Sequence, residues 1–148
     1  MKRKVRKIIG IVVVTHGDLG KACVEAVELI AGAQSHVKCL GLHHGDGPED
    51  LEKNILNAVR ELDEGDGVLA FVDFYGGTPA NLVLKCMRRQ KFLCIAGLNM
   101  PMLVEALTNR EDCALKELAE NCKAIGQKSF IELYQVFEKL QNDSANNG

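Results

Sequence analysis

The chain has 148 residues, with 18 basic and 20 acidic side chains, a formal net charge of −2, 47% hydrophobic residues and 26% charged residues. That length fits one domain, and the balanced charge gives no footing for a general nucleic-acid binder and argues against whole-chain disorder. No apolar run approaches the roughly 18–20 residues that a membrane helix needs.

The chain opens on a basic arm, residues 1–7, that has the charge of a signal n-region. The apolar stretch Ile8–Val14 behind it ends at Thr15-His16-Gly17-Asp18 without a small-residue cleavage site, so it reads as a core strand of a cytoplasmic protein. The arm itself reads as a solvated extension. Leu19, Ala22, Cys23, Ala26, Val27 and Ile30 then keep helical period. Val37–Leu42 is a second strand. Pro48, Glu49 and Asp50 open a helix striped by Leu51, Ile55, Leu56, Val59 and Leu62, as first-turn residues should. Val68–Val72 is a third strand, followed by a short helix that starts near Pro79 and carries Ala80, Val83 and Met87. Phe92–Ala96 is the fourth strand. Pro101 begins a helix bearing Met102, Leu103, Ala106 and Leu107. A further helix with Leu115, Leu118, Ala119, Cys122 and Ile125 should close at Gly126. Leu133, Phe137 and Leu140 mark a last helix. The domain spans 8–141, and the polar residues 142–148 are expected to be a disordered tail.

Apolar runs without polar alternation suit strands buried on both faces, and their alternation with helices predicts a doubly wound, mostly parallel α/β sheet. Right-handed crossovers favour the strand order 2-1-3-4. Ligands in such sheets bind beyond the carboxyl ends of the strands at the switch point, here between strands one and three. That rule brings together His16, at the end of the first strand, and Asp73, at the end of the third. A carboxylate that takes the proton of one imidazole nitrogen leaves the other as a lone pair able to act as base, nucleophile or ligand. Gly76-Gly77-Thr78 before one helix and Gly17 before another offer backbone N–H groups to an anion, and Thr78 adds a hydroxyl. The arrangement suits a phosphoryl group carried on the ring.

The remaining candidates read as structure. Cys23, Cys39, Cys86, Cys94, Cys113 and Cys122 are scattered, form no CxxC pair and behave as small hydrophobes, with neither a disulfide framework nor a zinc site indicated. His43-His44-Gly45-Asp46 is a polar loop after the second strand that can still line the site, and His36 is a surface residue. No P-loop or GxSxG pattern is present. No metal or cofactor is expected.

Val-Thr-His-Gly, then Val-Asp-Phe-Tyr-Gly-Gly-Thr-Pro-Ala-Asn, then Gly97-Leu98-Asn99-Met100-Pro101-Met102-Leu103, in this order and spacing, resemble the mannose-type enzyme IIA of the bacterial phosphoenolpyruvate-dependent sugar phosphotransferase system. The resemblance runs from Ile8 to Leu140. It implies a phosphotransferase working through a phosphohistidine. HPr would donate a phosphoryl group to His16, which would pass it to enzyme IIB and, through that, to the membrane IIC/IID sugar permease. Asp73 would orient His16, Gly17, Gly76, Gly77 and Thr78 would bind the phosphoryl group, and Thr15, Tyr75, Asn99 and Met100 would line the site. The family resemblance also implies a homodimer with an exchanged C-terminal strand, for which Gln127–Ile131 is the candidate. No fused enzyme IIB, nucleic acid or direct membrane insertion is expected. Two alternatives stay open: the phosphotransfer subunit of a dihydroxyacetone kinase, and a non-enzymatic domain that senses phosphorylation of the same histidine.

Overall fold

Residues 6–147 are described by a computed structural model, and its four apolar runs lie side by side at the centre. β1 is Gly10–His16, β2 Val37–Leu42, β3 Val68–Val72 and β4 Leu93–Ala96. They form one parallel sheet in the order β2-β1-β3-β4. The helices between and after them are α1 (Leu19–Ala31), α2 (Pro48–Leu62), α3 (Thr78–Cys86), α4 (Met100–Asn109), α5 (Leu115–Lys128) and α6 (Leu133–Asn146).

The pleat sorts the central strands onto two cores. Val12 and Val14 of β1 join Val68, Ala70 and Val72 of β3 under α2 and α3. Ile11 and Val13 join Leu69 and Phe71 on the opposite face, under α1, α4 and α5. Each fully buried side chain of this kind contributes about 1.5–3 kcal/mol, so polarity anywhere in these runs would be costly. Both central strands are buried almost throughout, whereas the edge strands β2 and β4 are half-buried.

Several expectations need correction. β1 starts at Gly10 rather than Ile8 and continues through His16, so the histidine is the last residue of the ladder. Gly10 is tolerated there because an added Cβ would lie 2.5 Å from Leu62 Cβ. α5 does not stop at Gly126. It runs on to Lys128, and the glycine serves close packing instead, since a Cβ would meet Met102 Cε at 2.6 Å. Gln127 and Lys128 therefore belong to a helix, and among the described residues Gln127–Ile131 joins no strand ladder. The expected disordered tail is helical to Asn146. Glu132 caps α6 by accepting from the N–H groups of Tyr134 and Gln135, which starts the helix whose polar, solvent-facing end continues it. Of the basic arm, residues 1–5 lie outside the described residues.

At the amino end of the sheet one buried cation ties the chain together. Arg110 is 3% exposed and donates to the carbonyls of Ile9, Ser35 and His36 and to Gln34 Oε1. It holds the turn into β2, where His36 takes the left-handed φ of 54°. Such a conformation is uncommon for a residue with a side chain and persists only where neighbours hold it.

Candidate functional site

The site is built where β1 and β3 end. Both strands run parallel and side by side, Val14 pairing with Val72, so the next residues emerge together at the carboxyl edge. His16 Nδ1 lies 2.7 Å from Asp73 Oδ2. The same oxygen accepts the backbone N–H of His16 at 2.9 Å, and Asp73 Oδ1 accepts the N–H of Phe74 at 3.0 Å. The carboxylate is thus clamped on both oxygens. Its side chain is 9% exposed against 46% for His16. Burial pushes the Asp73 carboxyl up, but the hydrogen bonds from His16 and Phe74 outweigh it and the net direction is down. Asp73 is therefore a carboxylate at neutral pH, and it fixes His16 as the tautomer that carries its proton on Nδ1. Nε2 makes no hydrogen bond among the described residues and is left as a lone pair.

The ring faces a cleft of about 710 Å3 lined by His16, Gly17, Leu42, His43, His44 and Thr78. Thr78 is exposed and is the first residue of α3, one position earlier than the helix start expected at Pro79. Gly77 is the N-cap, so the free N–H groups of the first turn lie at the same edge as the imidazole, and Thr78 lines the cleft with it. Gly76 takes a φ of 96°, which lets the chain turn from Asp73 back to the helix. Gly17 turns at φ 53° and donates its N–H to the Leu42 carbonyl at 2.8 Å, continuing the ladder one step past His16.

His16, Asp73, Gly17, Gly76, Gly77 and Thr78 thus come together, but the Gly17 N–H, expected to meet an anion, is spent on the Leu42 carbonyl because the strand ladder runs one step further. Thr15 does not line the cleft. Strand alternation sends it to the face opposite His16, where it is 1% exposed and its hydroxyl accepts the Gly20 N–H of α1. One donor of that helix end is consumed by this bond. Tyr75 is 80% exposed and borders a different pocket, with Val83, Leu84 and Met87. Asn99 caps α4 through Met102 N–H and donates to the Gly126 carbonyl of α5, and Met100 packs on the α1/α4/α5 core. Neither lines the cleft that the imidazole faces.

Two features escaped the sequence. The Phe74 ring stacks on His16 with centroids 5.2 Å apart and planes 8° apart. His43 Nε2 lies 2.8 Å from Asp18 Oδ1, joining the loop after β2 to the turn after His16. A hydrophobic residue following the strand-end aspartate was the signal for the first; nothing in spacing signalled the second. Among the described residues no group of His, Cys, Asp and Glu is arranged to hold a metal ion. The arrangement can accept and hold a small anionic group on Nε2.

Comparison with known proteins gives the same region. The family model described as "PTS system fructose IIA component" matches residues 10–123, where PTS is the phosphotransferase system. The chain is 33% identical over 135 residues to the PTS system fructose-specific EIIA component of Bacillus subtilis, covering 90% of this chain and 92% of that protein. It is 34% identical over 105 residues to the PTS system mannose-specific EIIAB component of Escherichia coli, covering 70% of this chain but 32% of that longer protein. Among solved structures, the PTS IIA protein associated with the fucose utilization operon of Streptococcus pneumoniae superposes with a TM-score of 0.76 at 27% identity, covering 88% of this chain and 96% of that one.

Proposed function

The chain belongs to the mannose-type enzyme IIA family of sugar phosphotransferase components, with a phosphocarrier role in sugar phosphotransfer, and on that premise we propose that His16 Nε2 is the atom that carries the phosphoryl group. The observation that carries the proposal is the His16–Asp73 pair with its second nitrogen open to a cleft.

The donor is a phosphohistidine of HPr. Its N–P bond breaks as the His16 Nε2 lone pair forms a new one in line, and the donor imidazole leaves with the electron pair. The His16 ring keeps its Nδ1 proton and gains positive character, which Asp73 stabilises. Thr78 and the first-turn N–H groups of α3 hold the equatorial oxygens. Transfer onward to an enzyme IIB reverses the same steps. The sugar is met only by later components, so this chain encodes no sugar site. The dihydroxyacetone-kinase alternative is not favoured, because the matching family model and relatives are sugar-phosphotransfer components. No described helix is long and apolar enough to cross a membrane, which suits work in the cytoplasm beside a permease.

The protein acts as a homodimer on this reading. Support comes from the half-buried edge strand β4 and from Phe130, Ile131, Leu133, Tyr134, Phe137 and Leu140, all exposed in the C-terminal segment. Sedimentation at micromolar concentration should give a dimer, and a monomer there overturns this part.

The decisive experiment incubates the protein with labelled phosphoenolpyruvate, enzyme I and HPr. The expected product is an acid-labile phosphate on the wild-type protein and none on His16→Ala. Full labelling of His16→Ala removes the assignment.

A further inference from the structure

We propose that Phe74 is a positioning residue for phosphoryl transfer, its ring setting the plane of the His16 imidazole and covering one of its faces. The inference rests on the reading of His16 as the acceptor.

One hydrogen bond orients an imidazole only loosely. The Nδ1–H···Oδ2 contact of 2.7 Å tethers one ring nitrogen but tolerates a spread of angles, over which the ring can rock. A second constraint narrows that spread and holds Nε2 along the line of attack. The phenyl of Phe74, stacked within 8° of parallel, supplies it. The same residue also acts on the carboxylate, because its backbone N–H donates to Asp73 Oδ1. Phe74 thus touches both members of the pair, one through its ring and the other through its main chain.

The stack is seated against the loop that receives the phosphoryl group. A Cβ on Gly77 would lie 2.9 Å from His16 Cε1 and 3.0 Å from Phe74 Cζ. The glycine leaves room for both rings over the helix N-terminus, which brings the phosphoryl donors and the imidazole together. Phe74 is half exposed, so its ring is not held there by burial in the core. Its place is explained by what it covers. A phenyl face also favours the positive ring that forms when Nε2 takes phosphorus, and it keeps water from that side of the N–P bond.

The test compares wild type with Phe74→Leu and Phe74→Tyr. Proton NMR of the His16 ring and rapid-quench transfer from purified phospho-HPr are read on each. Leucine should remove the ring-current displacement of the His16 Cε1 proton, slow transfer by about fivefold to tenfold and shorten the life of the phosphorylated protein. Tyrosine should restore all three. Because the position is half exposed, the leucine variant keeps its fold, which the amide spectrum checks. Wild-type rate and phosphate lifetime in Phe74→Leu overturn the inference and leave the acceptor assignment standing. So does a loss in Phe74→Leu that Phe74→Tyr does not rescue, which marks a packing role only. Wild-type protein that takes no phosphate on His16 overturns the acceptor assignment and this inference with it.

Discussion

The two ends of the sheet hold nearly the same pair of groups in different surroundings. At the carboxyl end His16 lies 2.7 Å from Asp73. At the amino end His36 lies 2.7 Å from Glu64. The difference is in the second nitrogen. His36 Nδ1 is engaged by Ser35 Oγ at 3.1 Å, so both its ring nitrogens are occupied. His16 keeps Nε2 open to a cleft. The carboxylates differ as well: Glu64 is 41% exposed, whereas Asp73 is 9% exposed and held by two backbone N–H groups. A short histidine–carboxylate distance is therefore not a sign of chemistry. The features on which the proposal for His16 rests are the open second nitrogen and the clamped, desolvated partner.

Two isosteric changes give the largest contrast. Asp73→Asn should slow transfer from phospho-HPr on the order of 10²-fold, because an amide can favour the wrong tautomer and does not stabilise the cationic ring. Glu64→Gln should leave the rate as it is. Equal losses in the two variants, measured as single-turnover rates, would mean that the open nitrogen does not distinguish the ends.

The buried cation at the amino end sharpens the contrast from the side of stability. Arg110→Met removes donors from three carbonyls and from Gln34, and leaves the left-handed His36 turn without its tie. Loss of a buried network of this kind should cost about 3 kcal/mol, read as a shift of the urea midpoint. Phosphoryl transfer per folded molecule should be unchanged. A stable variant with slowed transfer would show that the amino end reaches the site after all.

What the sequence disclosed follows the same division. The continuous apolar runs of β1 and β3 are legible because burial on both faces leaves no polar alternation, and they fix the sheet order and the meeting of His16 with Asp73. Thr15 was misplaced because the strand continues to His16, and the pleat then decides its face. Gly126 has the look of a helix stop, yet it serves contact with Met102, a purpose that only the α4–α5 packing reveals. Tyr75 and Phe74 are adjacent aromatics, and no periodicity says which of them turns over the imidazole. Arg110 stands far in sequence from the turn it binds, so nothing local advertises it.

His43 provides the smallest effect and the finest distinction, since it is a third imidazole facing carboxylates and it lines the same cleft as His16. Its Nε2 meets Asp18 and its Nδ1 lies 3.5 Å from Asp46 Oδ2, so both nitrogens face negative charge from the two loops that flank the cleft. The Asp18 hydrogen bond pushes the His43 pKa above its ordinary value; desolvation, the next largest influence, opposes it, and the charges of Asp18 and Asp46 add to the rise. A folded-state pKa above the unfolded one means that the contribution is complete below the unfolded value of about 6.5 and is lost as pH rises through the folded value. His43→Gln should therefore destabilise the protein slightly at pH 5.5, and the difference from wild type should shrink as pH rises above about 6.5. Because the pair is exposed, salt should weaken it too. Urea titrations of both proteins between pH 5.5 and 8.5 would show this convergence. His43→Gln should still take phosphate on His16, since both nitrogens of His43 are already committed to carboxylates. A difference in stability that stays flat with pH would mean that the imidazole packs in the loop without carrying charge. A variant that no longer accepts phosphate would place His43 among the reacting groups and undo the rule that only an open nitrogen carries chemistry.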